Sequence, residues 1–223
     1  PYTTLFRSEA LTNTLIVGGL AALATVGAAI FLVYALRMKG SRGAQWLLPV
    51  TLVGYAAPGA VLALGLLLPL AGLDHWLADG VLALTGWDPG LMITGTAFAL
   101  GLAYLVRFFG IAQGAVDAAF GRVSPSLSMA ARSLGRSASG TLGAVYLPLM
   151  RGSVLTALLV VFVDCVKELP ATLLLRPFNY NTLSTRVFEL ASLERLSEAA
   201  PAALLVMAVG LAAVVVVARS QPD

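Results

Sequence analysis

The chain has 223 residues, of which 59% are hydrophobic and only 11% are charged, and its mean hydropathy is +0.90. Soluble domains are about half apolar and about a quarter charged, so this composition excludes an ordinary water-soluble globular protein. The net charge is only +3, and the arginines and lysines stand between apolar runs, which excludes nucleic acid as a partner because no basic stripe is present.

The first eight residues, Pro1 to Ser8, resemble the translation of a sequencing-library adapter. We therefore set residues 1–8 aside from the interpretation of the fold and expect the natural reading frame to continue upstream. An ordinary polar tail is the alternative interpretation, and neither affects the inferences below.

Five apolar runs are candidates for membrane-spanning helices. A helix needs about 20 mostly apolar residues to cross a hydrocarbon core of roughly 30 Å. The third run is free of charge only as far as Val106, and we expect its helix to continue to residue 112, with the Arg107 side chain reaching toward the interface. The sequence therefore predicts an all-α, polytopic bundle with spans at about 15–36, 46–70, 91–112, 154–175 and 202–218.

The positions of the cations predict the orientation of these spans, because cytoplasmic loops are enriched in lysine and arginine. The loops after span one and between spans three and four carry most of the lysines and arginines. The loop between spans two and three has three aspartates and no lysine or arginine. We therefore predict an N-terminus outside the cell and a C-terminus in the cytoplasm. The residues concerned are Arg37, Lys39 and Arg42; Arg107, Arg122, Arg132, Arg136 and Arg151; and Asp74, Asp79 and Asp88.

Two predicted outer segments have the periodicity of short surface helices. Apolar residues recur between Trp76 and Leu84, and again at three-residue steps from Val187 to Leu196. Pro201 is expected to lie in the first turn of span five, where its missing N–H group costs nothing.

The loop at about 122–150, between spans three and four, is too long for a plain connection and contains helix boundary signals. Ser124 and Pro125 predict the start of a short helix, and Gly135 predicts its end. The periodicity alone leaves open whether the helix packs on the protein's own spans, lies in the interface or contacts a partner. Its predicted apolar face is formed by Leu127, Ala130, Ala131 and Leu134, at i, i+3, i+4 and i+7.

This loop resembles the EAA signature of binding-protein-dependent ABC permeases of the type I importer fold. The family pattern is Glu-Ala-Ala, three residues, Gly, nine residues, an aliphatic residue, one residue and Leu-Pro. Met129 stands where the family has glutamate, which puts in doubt a polar link to the ATPase or to Arg132. The six matching positions are Ala130, Ala131, Gly135, Val145, Leu147 and Pro148.

The resemblance implies that the loop forms coupling helices that insert into a groove on a separate ATPase subunit. Ala130 and Ala131 would permit close approach, and Gly135 would turn the chain between two helices. Pro148 would end the second helix before span four.

Other stretches resemble the ferric-iron branch of these permeases, namely 54–63, 103–108, 167–172 and 176–179. The resemblance covers most of residues 9–220. It implies the C-terminal five-span unit of a longer, two-unit permease in a bacterial cytoplasmic (inner) membrane, with ferric iron as cargo. Permeases for thiamine, phosphonates, sulfate and polyamines share this framework and remain alternatives.

The same resemblance implies the partners of the chain. ABC ATPase subunits would hold ATP and magnesium, so the chain itself is expected to bind no cofactor and to be no enzyme. A periplasmic or lipoprotein solute-binding protein would deliver cargo, and a second permease unit would complete the pathway within the lipid bilayer.

Three charged residues, Asp164, Lys167 and Glu168, lie inside the predicted fourth span. Each would cost about 2.5–3.5 kcal/mol near the bilayer centre, so we expect all three to avoid lipid and to share one helix face, with Thr172 a turn further on. Pro170 predicts a kink beside them, and Pro58 with Gly59 predicts a second irregular point in span two. A gate on the transport pathway is one interpretation, and an internal ion pair that fixes packing is the other. No metal site is predicted, because two carboxylates supply too few ligands.

Two rival functions are weaker. A secondary transporter could use the charges of span four as a proton relay, but this leaves the spacing of the cytoplasmic loop unexplained. An intramembrane enzyme would need a catalytic set, and the one histidine, His75, and one cysteine, Cys165, have no base in register.

Overall fold

The structure, a computed structural model, describes residues 2–39 and 47–220, and every regular element in those ranges is helical. The predicted all-α, five-span bundle is confirmed, since five helical stretches in this part of the chain have the length and apolar composition to cross a membrane. The predicted start of span two at Trp46 and the loop cation Arg42 lie outside the described residues. The five stretches are Glu9–Met38, Gly59–Thr85, Ala97–Gly121, Ala138–Lys167 and Leu196–Arg219.

The described chain contains ten α-helices and one π-helical turn, which joins the sixth and seventh helices. In chain order they are α1 (Tyr2–Lys39), α2 (Leu47–Ala56), α3 (Gly59–Thr85), α4 (Ala97–Gly121), α5 (Pro125–Ser133), α6 (Ala138–Thr141), the π turn (Leu142–Tyr146), α7 (Leu147–Lys167), α8 (Pro170–Leu175), α9 (Leu183–Ser192) and α10 (Leu196–Ser220).

The core of the bundle lies where α1, α4 and α7 pack against one another. Small side chains such as Ala29, Ala103 and Ala157 are fully buried there, which lets the helix backbones approach closely in the absence of a hydrophobic driving force within lipid. In contrast, α3 and α10 bury few of their residues. Their exposed apolar side chains are therefore available to lipid or to a neighbouring chain.

Helix α2 packs directly on α4 through two glycines. A Cβ atom at Gly54 would lie 2.2 Å from the Val106 carbonyl oxygen, and one at Gly110 would lie 2.8 Å from the Thr51 carbonyl oxygen. Neither distance is compatible with a side chain, because the opposing atoms belong to the backbone. The two glycines thus fix the position of the half-length helix α2 against the core.

The predicted second span differs from the structure, because the chain breaks in its middle. Helix α2 ends at Ala56, and Pro58, which has an extended ψ of 135°, precedes the start of α3 at Gly59. A proline has no N–H group and disfavours a helical residue before it, which explains the break. Helix α3 then continues to Thr85, so the predicted surface helix between Trp76 and Leu84 is the end of this span.

The predicted fourth span, 154–175, is also divided. Helix α7 ends at Lys167, Glu168 is extended with a ψ of 120°, and α8 begins at Pro170. Sequence analysis predicted a kink here, and the structure has a complete break, because Pro170 occupies a first-turn position where its missing N–H group costs nothing.

Three further boundaries differ from the predicted ones. Helix α4 begins only at Ala97 and extends to Gly121, so Arg107 lies near its middle and not at a membrane interface. Helix α10 begins at Leu196, which places Pro201 inside the helix and not in its first turn. Pro148 does not end a helix, because α6, the π turn and α7 form one helical stretch, in which the Leu147 N–H bonds to the Leu142 carbonyl.

The prediction from the α2–α4 contact is that Gly54→Ala destabilises the protein, because the new Cβ meets a backbone oxygen that cannot move aside. Overpacking of this kind costs about 1–3 kcal/mol, so the thermal midpoint of the detergent-purified protein should fall by several degrees. The matched control is Gly65→Ala in α3, which has no atom within 4 Å of the new Cβ. Equal midpoints for the two variants would contradict the close contact.

Candidate functional site

The two helix breaks meet at one side chain, that of Arg107 in the middle of α4. Its Nε donates to Glu168 Oε2 at 2.9 Å, and its Nη1 donates to the Ala57 carbonyl oxygen at 2.8 Å. Only 16% of the Arg107 side chain and 7% of the Glu168 side chain are exposed. A single buried guanidinium therefore connects α4 to the end of α2 and to the break between α7 and α8.

Gly59 allows this arrangement. A Cβ atom at this position would lie 2.6 Å from Glu168 Oε1 and 3.3 Å from Arg107 Cζ. The first residue of α3 therefore has to be a glycine for the ion pair to occupy its position. Pro58 immediately before it opens the chain, so the two residues predicted as an irregular point of span two act together at the site.

Glu168 also organises the start of α8. Its Oε1 accepts from the Ala171 N–H at 3.2 Å, and its backbone carbonyl accepts from the hydroxyls of Thr172 at 2.7 Å and Ser184 at 3.1 Å. The Thr172 hydroxyl lies 2.6 Å from the Tyr104 hydroxyl of α4. The break after Lys167 is thus held by hydrogen bonds to side chains of α4, α8 and α9.

The charges of span four do not share one face, contrary to the sequence prediction. Lys167 Nζ pairs with Asp164 Oδ1 at 2.6 Å, whereas Glu168 leaves the helix and pairs with Arg107. The Asp164–Lys167 pair borders a cavity of about 360 Å³ between α7 and α10, and 62% of the Lys167 side chain is exposed. The face was mispredicted because helical geometry was extended through Glu168, where the helix has ended.

Sequence reasoning missed Arg107, which was assigned to an interface. A signal was available, because Asp164, Lys167 and Glu168 leave one negative charge inside the membrane, and a buried carboxylate needs a partner. Arg107 is the cation at matching depth once α4 is recognised to extend beyond residue 112.

Asp74 makes a second buried polar contact that was not predicted from the sequence. It was predicted in an outer loop, but it lies inside α3 and is fully buried. Its carboxylate accepts from the backbone N–H groups of Met92, Ile93 and Thr94 at 3.0, 2.8 and 2.6 Å. This contact fastens the segment before α4 to the far end of α3.

The predicted coupling loop folds as two short helices joined by a glycine turn. Helix α5 begins at Pro125, and Gly135 follows it with a left-handed φ of 81°, as predicted. The Ser137 hydroxyl then accepts from the Gly140 N–H at 3.1 Å and starts α6.

The faces of α5 differ in part from the prediction. Leu127 and Leu134 are 47% and 85% exposed and Ala130 is exposed, but Ala131 is buried against the chain itself. Ala131 therefore does not belong to a free apolar face. Met129 is exposed on the opposite side of the helix. Val145 is half-buried in the π turn, and Leu147 and Pro148 are exposed at the start of α7.

No family model matches the sequence. Among curated proteins, the chain is 30% identical over 199 residues to the Fe(3+)-transport system permease protein FbpB 2 of Haemophilus influenzae, which covers 89% of this chain and 36% of that protein. It is 28% identical over 165 residues to the ferric transport system permease protein FbpB of Actinobacillus pleuropneumoniae. These residues are 74% of this chain and 22% of that protein. The chain thus spans only about a third or less of these ferric relatives.

A third relative is the putative 2-aminoethylphosphonate transport system permease protein PhnV of Salmonella typhimurium. It is 25% identical over 203 residues, which are 91% of this chain and 71% of that protein.

Two solved structures share the fold. A permease chain of a bacterial alginate ABC transporter superposes with a TM-score of 0.70 at 18% identity, covering 95% of this chain and 76% of that one. A chain of the MetNI methionine ABC transporter in an inward-facing conformation superposes with a TM-score of 0.64 at 13% identity. The match covers 98% of this chain and 96% of that one. The chain is thus similar in sequence to permeases of ferric and phosphonate transport systems, and it shares its fold with chains of ABC transporters.

Proposed function

We propose that this chain is a membrane-spanning unit of an ATP-driven importer, that its α5–α6 loop docks on a separate ATPase, and that its two helix breaks form the gate. The observation that carries the proposal is the loop, in which two short helices, α5 and α6, are joined by a turn at the left-handed Gly135, as the signature implies. The names of the relatives support an importer permease. In this proposal ATP and magnesium are bound by the ATPase and not by this chain.

The docking surface consists of Leu127, Ala130 and Leu134, which lie on the outward side of α5. Large apolar side chains on a helix that faces water indicate a contact with another protein. The surface lies at the end of the bundle that carries Arg37, Arg122, Arg132 and Arg136, which the positive-inside rule assigns to the cytoplasm. This orientation puts the N-terminus of the chain outside the membrane and the C-terminus in the cytoplasm.

A continuous helix connects the loop with the charges at mid-membrane. From Ala138 to Lys167 the chain is helical without interruption, and the Tyr34 hydroxyl donates to the Ala138 carbonyl oxygen at 2.6 Å. A displacement of the loop is therefore transmitted along α7 to Lys167 and Glu168. Any such movement strains the contacts of Arg107, which join the two breaks.

The gate needs two arrangements of similar free energy. The Arg107–Glu168 contact is charge-assisted, whereas the bond from Arg107 to the Ala57 carbonyl has a neutral acceptor and is the weaker of the two. We expect the neutral bond to break when the outer halves of spans two and four, α3 and α8, move relative to α4. Pro58, Gly59, Pro170 and Thr172 are the hinge residues in this scheme, and Asp164 with Lys167 borders the adjoining cavity.

Ferric iron is the proposed cargo. The support is that the chain is 30% identical to an Fe(3+)-transport permease, against 25% to a phosphonate permease. A solute-binding protein outside the membrane would deliver the iron. A second permease unit would complete the pathway, and the exposed sides of α3 and α10 offer surface for it.

Leu134→Glu should abolish co-purification of the full-length permease with its ATPase, because a charge would enter the apolar contact without a partner. Folding should be unaffected, since 85% of Leu134 is exposed. Met129→Glu, which places the same charge on the opposite side and restores the family residue, should co-purify at least as well as the parent. Retention of the ATPase by Leu134→Glu would remove the docking proposal.

Glu168→Ala should destabilise the protein and stop uptake, because it leaves the buried Arg107 unpaired. Breaking a buried ion pair by removing one partner costs about 3–5 kcal/mol, whereas removing both partners costs less. The double variant Arg107→Gln with Glu168→Gln should therefore regain most of the thermal stability without regaining transport. Recovery of uptake together with stability would show that the pair only fixes packing.

The cargo can be tested with the full-length gene, its ATPase and its binding protein in a host that lacks ferric and phosphonate importers. We expect ATP-dependent uptake of radioactive ferric iron and none of 2-aminoethylphosphonate. The reverse result would reassign the cargo and leave the coupling proposal intact.

A further inference from the structure

A cavity lies beneath α5, at the arginine-rich end of the bundle. Its volume is about 640 Å³, and it is bordered by the ends of α1 and α4, by α5 and by the π turn. The proposed gate and docking surface do not use it. Its principal lining residues are Val33, Tyr34, Phe120, Ser128, Arg132 and Tyr146.

Helix α5 has the reverse of the usual amphipathic orientation. A surface helix normally turns its apolar side toward the body of the protein. Here Ser128 and Arg132 line the cavity, while Leu127 and Leu134 face outward. Ala131 alone among the residues of α5 is buried. The space under the helix is therefore suited to a polar ligand and not to an apolar core.

The charges of the cavity leave one guanidinium available. Arg37 donates through Nε and Nη2 to Asp117, with the shortest contact at 2.8 Å, so this pair is neutral. Within residues 9–38 and 49–219, the Arg132 side chain has no ion pair or hydrogen bond. The cavity thus has a net charge of +1. A guanidinium presents donors in a planar fork that matches the oxygens of a phosphate.

The other wall of the cavity is apolar and aromatic. Val33 and Phe120 are buried there, and the rings of Tyr34, Phe120 and Tyr146 pack together with centroids 4.9–6.0 Å apart. This wall stands where α1 and α4 reach the membrane surface. A ligand that fits both walls has an anionic group joined to an apolar body.

We propose that this cavity binds the phosphate headgroup of an anionic phospholipid, with Arg132 as its main ligand and the aromatic wall against the first part of the acyl chains. A bound lipid supplies the inward contacts that α5 lacks and holds the helix in its docking position. The lipid site itself does not depend on the cargo or on the ATPase, whereas the role of the lipid in holding α5 for docking rests on the function proposed above.

The test uses the purified full chain in a neutral detergent. Phosphatidylglycerol is titrated while the thermal midpoint is followed, and bound lipid is counted by native mass spectrometry. Phosphatidylcholine with the same acyl chains and inorganic phosphate are the comparison ligands. We expect phosphatidylglycerol alone to raise the midpoint and to remain bound.

Arg132→Gln should weaken phosphatidylglycerol binding about tenfold or more, because a charge-assisted hydrogen bond is lost. Arg136→Gln is the matched control, since Arg136 is exposed and does not line the cavity. Ser128→Asp, which adds a negative charge to the cavity without removing the arginine, should weaken binding as well.

Equal binding by the Arg132 and Arg136 variants, or equal stabilisation by the two lipids, would overturn the site. A rise in the midpoint with inorganic phosphate alone would overturn the lipid assignment and identify a soluble phosphate ligand instead.

Discussion

The fold depends on the need to satisfy one largely buried positive charge in the middle of α4, a helix long and apolar enough to cross a membrane. An unpaired arginine in hydrocarbon is costly, and Arg107 is compensated by Glu168 and by the free carbonyl of Ala57. Both acceptors are available because the helices that carry them have ended there. A continuous span two would use the Ala57 carbonyl within its own helix, and a continuous span four would turn Glu168 away. The breaks and the ion pair therefore require each other.

This requirement divides spans two and four into unequal parts. The inner part of span four, α7, belongs to the core, whereas the inner part of span two, α2, lies on the surface of α4, where Gly54 and Gly110 allow close contact. The outer parts, α3 and α8, pack on each other and touch α4 less. Asp74 fastens the segment before α4 to the outer part of span two. The helical stretch that ends at Lys167 begins at Ala138, in the segment between spans three and four.

The lengths of the apolar runs predicted the presence of five spans. The proline and glycine residues at helix ends predicted the loop helix that starts at Pro125 and the turn at Gly135. These features were predictable because they depend on local sequence. The positions that depend on tertiary contacts were not predicted. Hydrophobicity cannot distinguish one long span from two halves whose exposed backbone groups find partners elsewhere, as at Pro58 and Pro170. Arg107 was misplaced for the same reason, since its partner is 61 residues away in the sequence.

Helix α5 shows what periodicity leaves undetermined. The pattern of Leu127, Ala130 and Leu134 defines an apolar side but not which side faces the protein, and the tertiary structure turns it outward over a charged cavity. In an isolated soluble domain this orientation would be unfavourable, because apolar surface faces water while polar groups line the interior. It is favourable only if other molecules cover both sides. These are the two surfaces to which we assign the proposed ATPase and the proposed lipid.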